Sequence, residues 1–151
     1  MPSRLSHRVH GRQRGAELVE FAAVLPCLVL LTLLVSEAAG MIGAHQVLIN
    51  AAREGARLAV VPGELNASGD VTQRVVAYAA ASGLALTSNN VSVNQNEVVA
   101  TNGACSAANP CLTASKVTVS YNYPLVFLPR LPFGLPSTVG LGASVEMRNF
   151  Y

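Results

Sequence analysis

Residues 14–60, RGAELVEFAAVLPCLVLLTLLVSEAAGMIGAHQVLINAAREGARLAV, open with charge and then abandon it. Glu17 and Glu20 stand at the entrance to an apolar run in which Phe21 to Ser36 make sixteen residues without a charge. If Glu37 is sheltered, the run extends to Ala44 and reaches twenty-four residues. A helix needs roughly 20 residues to cross about 30 Å of hydrocarbon, so one membrane span is expected, over about residues 21–44. An unpaired acid near the bilayer centre costs about 2.5–3.5 kcal/mol even on a lenient insertion scale, so Glu20 and Glu37 both call for compensation.

The helix is expected to continue beyond the span. From Ala16 to about Val60 the only strong breaker is Pro26, which removes one backbone hydrogen bond and crowds the preceding turn, so a kink is expected there. Forty-five helical residues would reach roughly 68 Å, well past a bilayer. In the protruding part, Ala51, Gly55 and Ala59 recur every four residues and Ala52 and Ala56 flank them. Small residues at that spacing form a groove that another backbone can approach closely. The protein's own exported domain is the expected occupant. Arg53 and Arg57, one turn apart, are expected to point away from the groove into solvent.

Ahead of the span, Arg4, Arg8, Arg12 and Arg14 precede the first acid. By the positive-inside tendency that end stays cytoplasmic and the chain after the span is exported, which gives a single-pass inner-membrane protein. The formal net charge of +2 comes from those arginines; after residue 15 there are six basic residues against eight acidic ones. The exported part therefore presents no basic surface, and nucleic acid is not an expected partner.

An ordinary secretory signal would place small residues after a core of about 7–15 apolar residues and be cut there. Small residues do follow in SEAAGMIGA, but they lead into more helix-like sequence. A better-marked cut is Gly15, with Glu20 the fifth residue after it: basic leader, glycine, four residues, glutamate, long apolar helix. This arrangement resembles the prepilin peptidase site of type IV pilins and pseudopilins. The whole stretch, with VEFA at residues 19–22, Pro26, Glu37 and AAREGAR at residues 51–57, resembles the TadE-like family, small pseudopilins of the tight adherence (Flp) pilus system.

The resemblance covers about forty-five residues strongly and the remainder loosely. It implies cleavage between Gly15 and Ala16, a membrane-held helix, and a part in assembling or stabilising pili for surface attachment. The implied partners are the prepilin peptidase, other pilin or pseudopilin subunits and the assembly machinery. It further implies that Glu20 pairs with the new amino terminus on Ala16 of a neighbouring subunit and sets the register of a helical bundle; the spacing equally allows pairing within the chain. Glu17 receives at most a secondary part in assembly. The alternative is a membrane-anchored binding module that shares the helix, such as a pilus-tip adhesin or a secretion-system pseudopilin.

After Val61 the composition changes and a domain of about ninety residues begins. Asp70 with Gln73 is read as the cap of a helix through VTQRVVAYAAAS that Gly83 stops. Val91, Val93, Val98 and Val99 suggest short strands, KVTVSYNY (Lys116–Tyr123) alternates as a strand should, and Thr138–Met147 reads as a final strand weakened by Gly140 and Gly142. The expected class is α+β: a long pilin-like helix at residues 16–60 after a leader at residues 1–15, then a helix on an antiparallel sheet at residues 61–151.

Between the last two strands, PLVFLPRLPFGLP (residues 124–136) holds four of the eight prolines and cannot be a regular interior strand. Its many large apolar groups either pack on the sheet or dock on a partner or membrane surface; packing is favoured because so small a domain has little core to spare.

Cys27 falls within the span as a small apolar residue. Cys105 and Cys111 fall in the exported part and are expected to form a disulfide, which would stabilise by roughly 2 kcal/mol. Two cysteines without further ligands make a poor zinc site. No nucleophile–base constellation, metal-binding helix motif or phosphate-binding glycine loop occurs, and past His45 there is no histidine. Neither an enzyme nor a cofactor is expected.

Overall fold

A computed structural model of the protein describes residues 10–61, 68–99, 112–131 and 134–149. Helix α1 (His10–Ala59) runs for 50 residues and passes through Pro26 as continuous α-helix. Helix α2 (Ser68–Ala81) follows, then strands β1 (Val91–Val99), β2 (Leu112–Pro124) and β3 (Thr138–Arg148), with 3₁₀ turns at Ser88–Asn90 and Leu128–Arg130. The strands form an antiparallel sheet in the order β1-β2-β3. The class is therefore α+β, as the patterning implies: a long helix, and a second helix packed with it on a sheet.

Alternation along β2 explains the layers. Ser115, Val117 and Val119 are wholly buried under the helices, whereas Ser120 and Asn122 are exposed. On β3 the matching residue is Ala143, opposite Val119 in the register. From α1 come Leu48, Ala51, Ala52, Ala56 and Ala59, from α2 come Val71, Val75 and Ala79, and together these close the core. β1 is one strand and not several: its register shifts between Asn94 and Glu97, a bulge that keeps Val98 and Val99 paired with β2.

Helix α2 begins at Ser68, two residues before the expected cap, so Asp70 lies in its first turn, where a carboxylate suits the helix dipole. Its end is as expected. Gly83 takes φ +81°, and the amides of Leu84 and Gly83 bond back to Ala79 O at 2.8 Å and Ala80 O at 3.0 Å, the αL closure that glycine makes without steric cost.

The end of α1 is tied to the sheet by polar atoms. Ser115 Oγ lies 3.3 Å from the carbonyl of Ala59 and 2.8 Å from Asn149 Oδ1, while Asn149 Nδ2 donates to Gln95 O at 3.1 Å. A last-turn helix carbonyl has no partner within its own helix; here the hydroxyl of a strand serine, which also bonds Asn149 just past β3, lies beside it.

Candidate functional site

The functional candidates lie along α1, which changes character halfway. From Gly15 to Ser36 almost every residue is exposed: Leu18, Val19 and Phe21 at 69%, 71% and 59%, and Leu31 and Val35 at 59% and 62%. The helix is long and apolar enough to cross a membrane, and no residue of its most apolar stretch is fully buried. Gly15 is already helical, and a methyl group built on it would touch nothing within 4 Å. Among the described residues no packing requires glycine there. Ala16, Glu17 and Glu20 are exposed on the same segment, and Glu17 and Glu20 share a shallow apolar groove with Phe21 and Val24.

From Ala44 upward the small residues meet the domain. Ala51, Gly55 and Ala59 are buried together with Ala52 and Ala56, so the groove they form is filled by this chain's own α2 and sheet. Gly55 is the tightest point: a Cβ there would collide with Val75 Cγ2 and lie 3.4 Å from Val117 Cγ1. Arg53 and Arg57 point outward and are exposed. Between them Glu54 reaches across to α2, where Arg74 Nη2 and Nε donate to its Oε1 at 2.7 and 3.2 Å. That hydrogen bond, with the positive charges of Arg74 and Arg57, holds the Glu54 carboxyl below the ordinary carboxylate range against a small opposing desolvation.

The two halves meet at Glu37, which is only 4% exposed. Its Oε1 accepts from the backbone N–H of Val126 at 2.7 Å and its Oε2 from that of Phe127 at 2.9 Å. Both oxygens of one carboxylate thus clamp the loop that follows β2 onto α1. One turn higher, the Tyr123 hydroxyl lies so close to Gly40 that a Cβ there would meet it.

Below the clamp the loop lies along the helix. Leu30, Leu33 and Leu34 on α1 face Phe127, Leu128 and Leu131 across an open apolar groove of ≈ 220 Å³, which Arg130 also lines. The loop therefore packs, as the sequence favours, but against α1 where the sheet was expected. The shelter for Glu37 is visible in the sequence only as a need: a lone acid after sixteen uncharged residues must find donors. Nothing in the pattern tells that residues 126 and 127 supply them.

Cys27 is an exposed free thiol on the apolar half of α1. Cys105 and Cys111, the expected disulfide, lie outside the described residues, as do Pro132 and Phe133 of the proline-rich segment. Among the described residues no group of three or more His, Cys, Asp or Glu side chains is placed to hold a metal ion.

The chain thus presents a largely exposed apolar helix long enough to cross a membrane, with a small α+β domain on its far half. Residues 15–57, the helix from Gly15 to Arg57, match the family model described as TadE-like protein; the match lies within α1 and does not extend to the domain. No curated protein and no solved structure matches the chain.

Proposed function

We propose that the chain is a minor pilin or pseudopilin of the tight adherence pilus, cut by prepilin peptidase between Gly15 and Ala16, that helps assemble or stabilise pili and so promotes surface attachment. The observation that carries this reading is the half of α1 from Gly15 to Ser36: its large apolar residues are exposed, and it opens with a glycine that no packing needs and acids that the domain does not touch. A helix presented in this way suits lipid before assembly and the helices of other subunits after it. The basic leader stays on the cytoplasmic side of the inner membrane and the domain is exported. The partners are the peptidase, other pilin subunits and the assembly machinery, and the role is structural, with no catalytic step.

Cleavage at Gly15 would create an ammonium group on Ala16. Glu20, about one turn along, then supplies the opposite charge, which lowers the cost of placing either group near hydrocarbon although desolvation still opposes it. Pairing with a neighbour's terminus would fix the axial register of a bundle, and Glu17, nearer the interface, matters less. In the native host, mass spectrometry should find a mature chain beginning at Ala16, and replacing Gly15 by a bulky residue should block processing. Glu20→Ala should leave cleavage and membrane level unchanged and lower pilus yield, with Glu17→Ala doing less. An unprocessed chain in a host with active peptidase would overturn the reading. Absence from sheared pili, with binding to a surface retained, would favour the membrane-anchored binding module.

A further inference from the structure

We propose that the loop from Leu125 to Leu131 is a second membrane contact, seating Phe127 and its neighbouring leucines in the bilayer leaflet on the domain's side while Arg130 reaches the lipid phosphates. This inference rests on the membrane crossing assigned to α1, and on neither leader cleavage nor pilus assembly. The crossing fixes the level of the loop. A hydrocarbon core of about 30 Å takes up roughly 20 helical residues, and the uncharged exposed half of α1 ends at Ser36. The domain begins at Glu37, which is buried against Val126 and Phe127. Shifting the bilayer up would submerge the polar face of the sheet domain, and shifting it down would strip lipid from Leu31, Leu34 and Val35, all exposed. The edge of the hydrocarbon therefore lies near Glu37.

The loop reaches below that edge. Phe127, Leu128 and Leu131 face Leu30, Leu33 and Leu34, three to seven residues down the helix from Glu37, which at the helical rise is about 5–10 Å. That is the depth at which interfacial elements bury their apolar faces. Val126 and Phe127 are 48% and 40% exposed, so their surface continues that of the lipid-facing leucines beside them.

At membrane depth irregular backbone must have its polar groups satisfied within the protein, and five of the six N–H groups from Leu125 to Leu131 have acceptors within the chain. The N–H groups of Val126 and Phe127 go to Glu37, that of Leu125 to Ser137 O, and those of Arg130 and Leu131 to Phe127 O and Leu128 O. Pro129 has no N–H to satisfy. Arg130 Nη1 covers the carbonyl of Val126, and its exposed side chain is of the kind that lays its stem on apolar surface while its charge stays at the headgroups. The Glu37 carboxylate thereby acts as the donor-quenching cap of a lipid-immersed turn.

The chain contains no tryptophan, so a single introduced one reports its own surroundings. The full chain is reconstituted in vesicles of phosphatidylcholine and phosphatidylglycerol, with some of the phosphatidylcholine brominated along its acyl chains, and carries Phe127→Trp, Leu31→Trp or Tyr78→Trp. Leu31→Trp reads the crossing and Tyr78→Trp, on α2, reads the water side. The expected result is blue-shifted emission from Phe127→Trp, quenched by brominated lipid and shielded from acrylamide as for Leu31→Trp, with the opposite pattern for Tyr78→Trp. Val126→Trp should behave as Phe127→Trp and serves where the latter disturbs the turn. Lipid quenching at residue 31 without quenching at 126 or 127 would overturn the inference and leave the crossing intact. Shielding of 126 and 127 from both quenchers would mean that protein, such as a second copy, covers the loop, and would also overturn it. Absence of lipid quenching at residue 31 would overturn the crossing and the inference together.

Discussion

The two halves of α1 differ in composition and meet different surroundings. Residues 15–36 are rich in Leu and Val and stand exposed, whereas residues 44–59 carry Ala and Gly on the face that the domain covers completely. Apolarity takes the whole surface of the first half and one face of the second out of water, and side-chain size decides what covers each. Large branched groups spread apolar area that lipid can cover from every side, while small ones let a second helix and a sheet approach within van der Waals distance. Leu48 is the one large residue of α1 that is wholly buried, and it sits where α1 faces the core cluster.

The largest expected effect separates the halves directly. Leu48→Ala should destabilise the domain by about 2–5 kcal/mol, as buried leucine truncations do, whereas Leu31→Ala should leave domain stability unchanged. All four tyrosines, at 78, 121, 123 and 151, lie outside α1, so thermal unfolding followed by tyrosine fluorescence in detergent reads the domain alone. Equal loss in both variants would break the division.

At the junction, Glu37→Ala leaves the N–H groups of Val126 and Phe127 without their acceptor, at a cost of about 1–3 kcal/mol for a buried group so orphaned. Glu37→Gln, which keeps one acceptor oxygen, should lose less. Amide hydrogen exchange at residues 126 and 127 should rise most in Glu37→Ala; unchanged protection would remove the clamp from the account.

Within the packed half, Gly55→Ala tests whether size is what matters. Overpacking against Val75 costs about 1–3 kcal/mol, partly offset by the roughly 0.8–1.0 kcal/mol that alanine gains over glycine in a helix. A net loss of about 1 kcal/mol in the same unfolding measurement is expected from that difference. A gain in stability would mean that Val75 yields freely. Gly15→Ala, with nothing near it, should not lower domain stability.

The smallest effect is electrostatic. Arg74→Ala breaks an ion pair whose side chains are 58% and 28% exposed, and such pairs contribute roughly 0.5 kcal/mol or less. Because the Glu54 carboxyl is lowered in the folded protein, its contribution is present above the unfolded carboxylate pKa and disappears as pH falls through the folded value. Unfolding temperatures of wild type and Arg74→Ala should therefore converge on acidification below the ordinary carboxylate range. A constant gap down to the lowest pH would assign the effect to packing.

Much of this architecture was legible in residues alone. The end of α1 near residue 60, the stop at Gly83, the alternation of Lys116–Tyr123 and the strand from Thr138 all follow from local rules of period and turn chemistry, and the small-residue groove of Ala51, Gly55 and Ala59 announced a close neighbour; the start of α1 at His10, six residues before the expected Ala16, did not. Asp70 was misplaced by two residues because Ser68 starts the helix as readily. The valines at 91, 93, 98 and 99 belong to one strand because a bulge, which pattern does not display, bridges them.

What sequence could not decide was which distant segments meet. It required a partner for Glu37 but not Val126 and Phe127, about ninety residues away, because any pair of free backbone amides would serve a carboxylate equally well. It made the proline-rich loop apolar without saying whether sheet or helix would receive it. Only the tertiary arrangement, with Tyr123 at the end of β2 against Gly40, brings that loop down onto Leu30 and Leu34. Local chemistry specified the elements and their needs; the geometry of packing chose the partners that meet them.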